Sequence, residues 1–164
     1  MYIKRININF KNINEKKINN IIEEELGDEE KYLINYEISK KEKSMYLYYM
    51  MEGMFISRIA RKLKEIEVIP IQVYFFKYLR KKIKKESFKC ILYYSKTYYF
   101  INVHKGYLSM CYILHSINEL EEVFNRIKDE GSLYVQRGIE FLEDNEENII
   151  FLDCGGLYSE KIFL

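Results

Sequence analysis

Two histidines, His104 and His115, are available to this chain for acid–base work. A catalytic histidine needs a nucleophile or carboxylate within hydrogen-bond reach. No HExxH, GxSxG or Cys–His signature surrounds either one. His104 falls in a hairpin turn beside Lys105, and His115 directly precedes a helix cap, so neither is read as catalytic. Cys90, Cys111 and Cys154 form no CxxC pair. Their odd number and long spacing speak against a disulfide framework or a zinc site. Each is expected to pack as a small buried hydrophobe. Six acids crowd positions 23–30, but they run along a helix end into a loop and do not converge as metal ligands would, so they read as solvated surface.

Two features have a place where a ligand would sit. Asp153, Gly155 and Gly156 follow an apolar strand, and the strand ends of α/β sheets commonly hold ligand groups. The functional reading is a remnant nucleotide pocket at Gly155 and Gly156; the plainer one is a glycine turn that ends a strand. A basic stretch holds Lys77, Arg80, Lys81, Lys82, Lys84, Lys85 and Lys89, with Glu86 its one acid. On a helix, Lys77, Arg80, Lys81, Lys84 and Lys85 share a face. That face suits a partner or an anionic surface. The plainer reading is the solvated back of a helix whose Tyr74, Phe75, Tyr78 and Leu79 face the core. Tyrosine clusters at 46–49 and 93–99 invite base stacking, although strand propensity accounts for them more simply.

The elements that must carry these residues follow from hydrophobic spacing. Alternation over 2–10 predicts a half-buried strand. Asn14 caps a helix with Ile18, Ile21, Ile22 and Leu26 on one face, Ile13 and Ile18 making a staple and Gly27 closing it. Residues 32–38 and 45–51 read as strands. A helix is expected over 54–66, a short strand over 67–73 interrupted by Pro70, and the basic helix over 74–85. Strands at 88–94, 97–103 and 107–114 form a meander with turns at 95–96 and 104–106. Ser116 and Glu119 have capping-box spacing and open a helix whose apolar face continues to Leu142, with Gly131 kinking or splitting it. Residues 148–152 read as a final buried strand. The expected organisation is an N-terminal β-α-β-β-α-β-α lobe over 1–86 and a C-terminal β-β-β-α-β lobe over 87–164.

Composition bounds the rest. The chain has 164 residues, 48% of them hydrophobic, and a net charge of +1. It is long enough to bury a core without disulfides, and it has no global pull toward nucleic acid. Charge is uneven: residues 117–147 carry ten acids and three bases. No run reaches the roughly 18–20 apolar residues of a membrane span, and the first ten residues lack the apolar core of a secretory leader. Reduced thiols suit the cytoplasm.

The element order and several local runs resemble the PilM-like branch of the actin-like ATPase superfamily, which includes the cytoplasmic domain of GspL and, more distantly, FtsA. The runs are Tyr2-Ile3-Lys4-Arg5-Ile6, the helix through Glu23, Glu24 and Glu25, then Lys31-Tyr32-Leu33-Ile34 and Asn35-Tyr36-Glu37, then Leu63 to Pro70, the meander with Gly106 in its turn, and the strand running into Gly155-Gly156. The resemblance implies an α/β, actin-like (ribonuclease H-like) partial fold, with mixed sheets, a three-stranded meander and flanking helices. The departures weaken the chemistry. No counterpart of the family's first D-I-G-S phosphate loop follows Met1. The second loop falls on Ile91-Leu92-Tyr93-Tyr94-Ser95-Lys96-Thr97, which has neither Asp nor Gly. Without them, backbone N–H groups cannot approach phosphates and nothing orients magnesium. The resemblance therefore implies a shortened, non-hydrolysing member with no resident cofactor, or one whose missing lobe comes from a second chain. Its role would be a cytoplasmic scaffold, peripheral at the inner membrane through a partner. It would hold the tail of an inner-membrane pilus or secretion protein in a groove between the N-terminal lobe and the helix at 54–66, by strand addition to an exposed sheet edge. Homo-oligomers fit the same picture. The alternatives are an ATP-binding protein of weak or no ATPase activity and a small nucleic-acid-binding accessory protein, the latter disfavoured by charge.

Overall fold

The computed structural model describes residues 1–9, 13–28, 31–51, 69–127, 131–139, 148–155 and 157. The helix expected over 54–66 lies outside them, as does Gly156. The chain divides into two compact units, Met1–Tyr74 and Phe75–Leu164.

The first unit is an antiparallel sheet of β1 (Tyr2–Asn7), β2 (Tyr32–Ser39) and β3 (Ser44–Met51) in the order β1-β3-β2. β3 lies in the middle, which is why Met45, Tyr46, Leu47 and Tyr48 are all buried in an uninterrupted apolar run. Helix α1 (Glu15–Leu26) links β1 to β2. Asn14 caps it as its sequence position requires: its Oδ1 accepts the Lys17 N–H at 3.0 Å. Gly27 ends it at φ 73°, its N–H donating to the Glu23 carbonyl at 2.8 Å. Ile18 and Ile22 pack with Ile8, Met45 and Leu47, and Ile13 covers the same cluster from before the cap. Lys4 of β1 pairs with Glu25 of α1.

Helix α2 (Ile71–Ile83) begins three residues before Tyr74, in the first unit, and its chain continues into the second. Residues 71–73 are therefore helical, and the strand expected over 67–73 is corrected there. Pro70 stands just before the first helical residue, and its carbonyl accepts the N–H groups of Val73 and Tyr74. Its locked φ and missing N–H suit a helix start, where the amides have no partner in the preceding turn. A five-stranded sheet follows, made of β4 (Phe88–Tyr94), β5 (Thr97–His104), β6 (Tyr107–Leu114), β7 (Leu133–Gln136) and β8 (Ile149–Leu152). Its order is β6-β5-β4-β7-β8. The β4-β5-β6 meander is antiparallel, whereas β7 and β8 run parallel to β4. Phe75 of α2 meets Tyr94 and Tyr99 edge-on at 5.8 and 5.0 Å. Helix α3 (Ile117–Ile127) crosses over between β6 and β7, as parallel pairing demands. Its Leu120, Val123 and Phe124 pack with Ile91, Phe100, Leu133 and Val135. The Ser116–Glu119 box closes reciprocally: Ser116 Oγ accepts the Glu119 N–H at 3.2 Å, and Glu119 Oε2 accepts the His115 N–H at 2.8 Å.

Strand β7 corrects the long helix expected to run through Leu142. The chain is out of the helix by Gly131, at φ 98°, and Leu133, Tyr134 and Val135 are extended and all buried. A strand buried on both faces has no polar alternation, so its spacing fits a helix equally well. The last strand is also revised. β8 lies at a sheet edge and is half-buried, with Ile150 38% exposed. Among the described residues no helix is long and apolar enough to cross a membrane.

Candidate functional site

The parallel strands β4, β7 and β8 deliver three polar segments to one end of the second sheet. These are the Ser95–Lys96 turn, Gln136 and the Asp153–Gly155 turn, at the carboxyl ends where α/β sheets bind ligands. Several of their polar groups bond to one another or to their own backbone. Gln136 Oε1 accepts the Tyr93 N–H at 2.9 Å. Asp153 Oδ1 accepts the Gly155 N–H at 2.9 Å, and Leu157 N–H donates to the Cys154 carbonyl at 2.8 Å. Asp153 thus caps a local turn, and a Cβ at Gly155 would meet its Oδ1 at 3.3 Å. Ser95 and Lys96 both take positive φ, 50° and 63°. That is the two-residue hairpin turn whose twist matches its strands. The rings of Tyr93 and Tyr98 lie 4.7 Å apart across the hairpin. This is the segment that the resemblance aligns with a phosphate loop.

The five cations singled out on α2 do not share a helical face. The helix ends at Ile83, and Lys84 turns the chain at φ 55°. Lys84 and Lys85 are therefore off the helix; the spacing argument carried the helix two residues too far because every residue from Arg80 to Lys85 tolerates it. Arg80 is half-buried. Its Nη1 donates to the Gly106 carbonyl at 3.2 Å, and its guanidinium lies 4.8 Å from the Phe76 ring centre. Lys81 is exposed and Lys77 half-buried, while Lys85 Nζ lies 5.5 Å from the ring centre of Tyr134. Arg5, part of the resemblance, is tied to its own unit. Its Nε donates to Ser44 Oγ at 3.0 Å and its Nη2 pairs with Glu42 at 3.4 Å.

No protein-family model matches the chain, and no curated protein matches it. Among solved structures it is similar to a Bacteroides thetaiotaomicron protein described as having an actin-like ATPase fold and unknown function. The identity is 10% and the TM-score 0.49, over 92% of this chain and 64% of that one. The chain thus spans less than two thirds of that protein's length.

One feature that spacing alone did not show is the outer edge of β6. This strand ends the sheet, so among the described residues one row of its N–H and C=O groups faces no strand. It also exposes large apolar side chains: Met110, Tyr112 and Ile113 are each 39–43% exposed. Between it and α3 lies a cavity of about 190 Å³, lined by Phe100, Met110, Tyr112, Val123 and Ile127, with Lys89, Asn102 and Arg126 supplying its polar part. The Tyr112 ring stacks on Phe100 at 5.9 Å. The sequence signal was present, since YLSMCYIL has no polar alternation. Apolar residues on both faces suit a central strand as well as an edge, so the pattern alone does not tell the two apart.

Proposed function

We propose that the chain is a non-catalytic binding module on a partial actin-like, ribonuclease H-like lobe, and that it captures an extended apolar segment of a partner protein along β6. The observation that carries this reading is the β6 edge. An added strand would pair with the open backbone row while alternate side chains enter the cavity beside Tyr112. Soluble proteins ordinarily blunt such edges with charge or proline. β6 has no charged residue along its whole length.

The lobe assignment is supported by the strand order of the second sheet. A meander leads through a helix to a parallel strand beside the meander's first strand, and then to a further parallel strand. That is the ribonuclease H-like order implied by the resemblance. The non-catalytic part is supported by the tyrosine-filled hairpin and by the local use of Asp153. The choice of partner, the cytoplasmic tail of an inner-membrane pilus or secretion protein, has its support in the resemblance alone.

The test is retention of such tails, as synthetic peptides, on the immobilised full chain. One tail is expected to bind, and Ile113→Lys, which puts a charge on the edge at an exposed position, weakens it about 10-fold or more. Magnesium ATP leaves the melting temperature unchanged. Equal retention by Ile113→Lys, or a rise of several degrees with ATP, overturns the reading.

A further inference from the structure

We propose that the amino ends of the second sheet hold a site for the phosphate group of a small phosphorylated molecule, at the end opposite the tyrosine-filled hairpin. A surface cavity of about 530 Å³ opens there, within the roughly 300–1,000 Å³ of small-molecule sites. Chain direction builds it. Lys85, Ser87 and Lys89 enter it around the start of β4, Ser132 just before β7, and His104 at the end of the antiparallel β5. The left-handed turn at Lys84 that ends α2 is what brings Lys85 to this end of the sheet.

The lining has the chemistry of an anion site. Two ammonium groups and an imidazole reach it, and among the described residues no carboxylate lines it. Ser87 Oγ accepts the Lys105 N–H at 3.0 Å, so its own hydroxyl proton is left to donate. Ser132 is exposed at the rim and presents a second hydroxyl. Ser109 differs, because its hydroxyl donates to the Asn102 carbonyl at 2.9 Å. Charged and neutral donors arriving from three chain segments match the three terminal oxygens of a phosphomonoester dianion better than a lone carboxylate. Phe88, Val103 and Tyr134 make the apolar wall. Phe88 and Tyr134 meet edge-to-face at 6.3 Å, which gives an organic group a surface beside the phosphate. Lys77, Lys81 and Lys82 do not line the cavity. The cations that do are gathered in a pocket, whereas tracking a nucleic-acid backbone needs an extended groove.

The probes are phenyl phosphate for the soluble ligand and phosphatidic-acid vesicles for a lipid headgroup of the same chemistry, each titrated calorimetrically into the full chain. Phenyl phosphate is expected to bind saturably. Lys85→Gln and Ser132→Ala, both at exposed positions and checked for an unchanged circular dichroism spectrum, each weaken it about 10-fold. Lys81→Gln, on the same basic stretch but outside the cavity, binds as the unaltered chain does. No saturable heat up to about 10 mM phenyl phosphate overturns the proposal. So does equal weakening by Lys81→Gln, which would mean diffuse attraction, and so does vesicle binding without binding of the soluble ester. Ile113 does not line this cavity, so Ile113→Lys leaves phenyl phosphate binding unchanged.

Discussion

Replacing Arg80 by Met separates two roles that its position allows, an exposed cation for partners and a tie between α2 and the β5–β6 turn. The structure favours the tie. Nη1 donates to the Gly106 carbonyl at 3.2 Å and the guanidinium stacks 4.8 Å from the centre of buried Phe76. A hydrogen bond from a charged donor contributes about 1.5–3 kcal/mol, and a cation over a ring about 0.5–1 kcal/mol at an accessible site. Arg80 is only half-buried, so solvent screening takes the combined effect down to about 2 kcal/mol. Methionine keeps the apolar stem and its packing, so the loss reports the head group. Arg80→Met should therefore cost about 2 kcal/mol in urea denaturation with an unchanged m-value. For a chain of this length that is a fall of about 4–8 °C in melting temperature. Arg80→Lys should recover less than half, because an ammonium lacks the planar fork. Lys81→Met, one residue along and exposed, should stay within about 0.5 kcal/mol of the unaltered chain. If Arg80→Met also stays within that margin, the guanidinium is solvated and the reasoning fails.

Three further outcomes follow from the same geometry. Leu120 is fully buried where α3 meets the sheet, so Leu120→Ala should destabilise by about 3 kcal/mol in urea denaturation. Lys96 sits at φ 63° in a turn that favours glycine, so Lys96→Gly should stabilise by about 1 kcal/mol; a loss would show the lysine makes a contact that outweighs the strain. Burial raises the thiol of Cys90 well above its ordinary 9.0 and pushes that of Cys111 up to about 12. The unfolded chain then holds fewer protons than the folded one above pH 9. Stability is accordingly intact below about pH 9 and falls as pH climbs toward 12. Cys111→Ala should flatten that fall in urea titrations between pH 8 and 10, and iodoacetamide should reach Cys90 at pH 8 only as fast as the protein unfolds.

Much of this was legible in the sequence, for local physical reasons. Asn14, Gly27 and the Ser116–Glu119 pair act within one helical turn, and each does in the structure what its spacing implies. The meander was readable from short turns between apolar runs, since a two-residue turn dictates an antiparallel neighbour. Strand β7 was not readable, because what makes Leu133–Gln136 extended is pairing with β4 over forty residues away.

The candidate sites divide along the same line. Residue type alone determined that the β4–β5 hairpin carries tyrosines and has neither Gly nor Asp, and that the α2 region is basic. Only the tertiary structure decided how those cations are used: Arg80 against the β5–β6 turn, Lys85 and Lys89 into a cavity with His104 and Ser132. It alone made β6 an edge and β4 a centre, though both are apolar runs of similar length. The reason is physical. Caps and turns are fixed by interactions within a few residues, whereas edge position, cavity lining and the partner of a charge depend on which distant strands pair, and the sheet settles that as a whole.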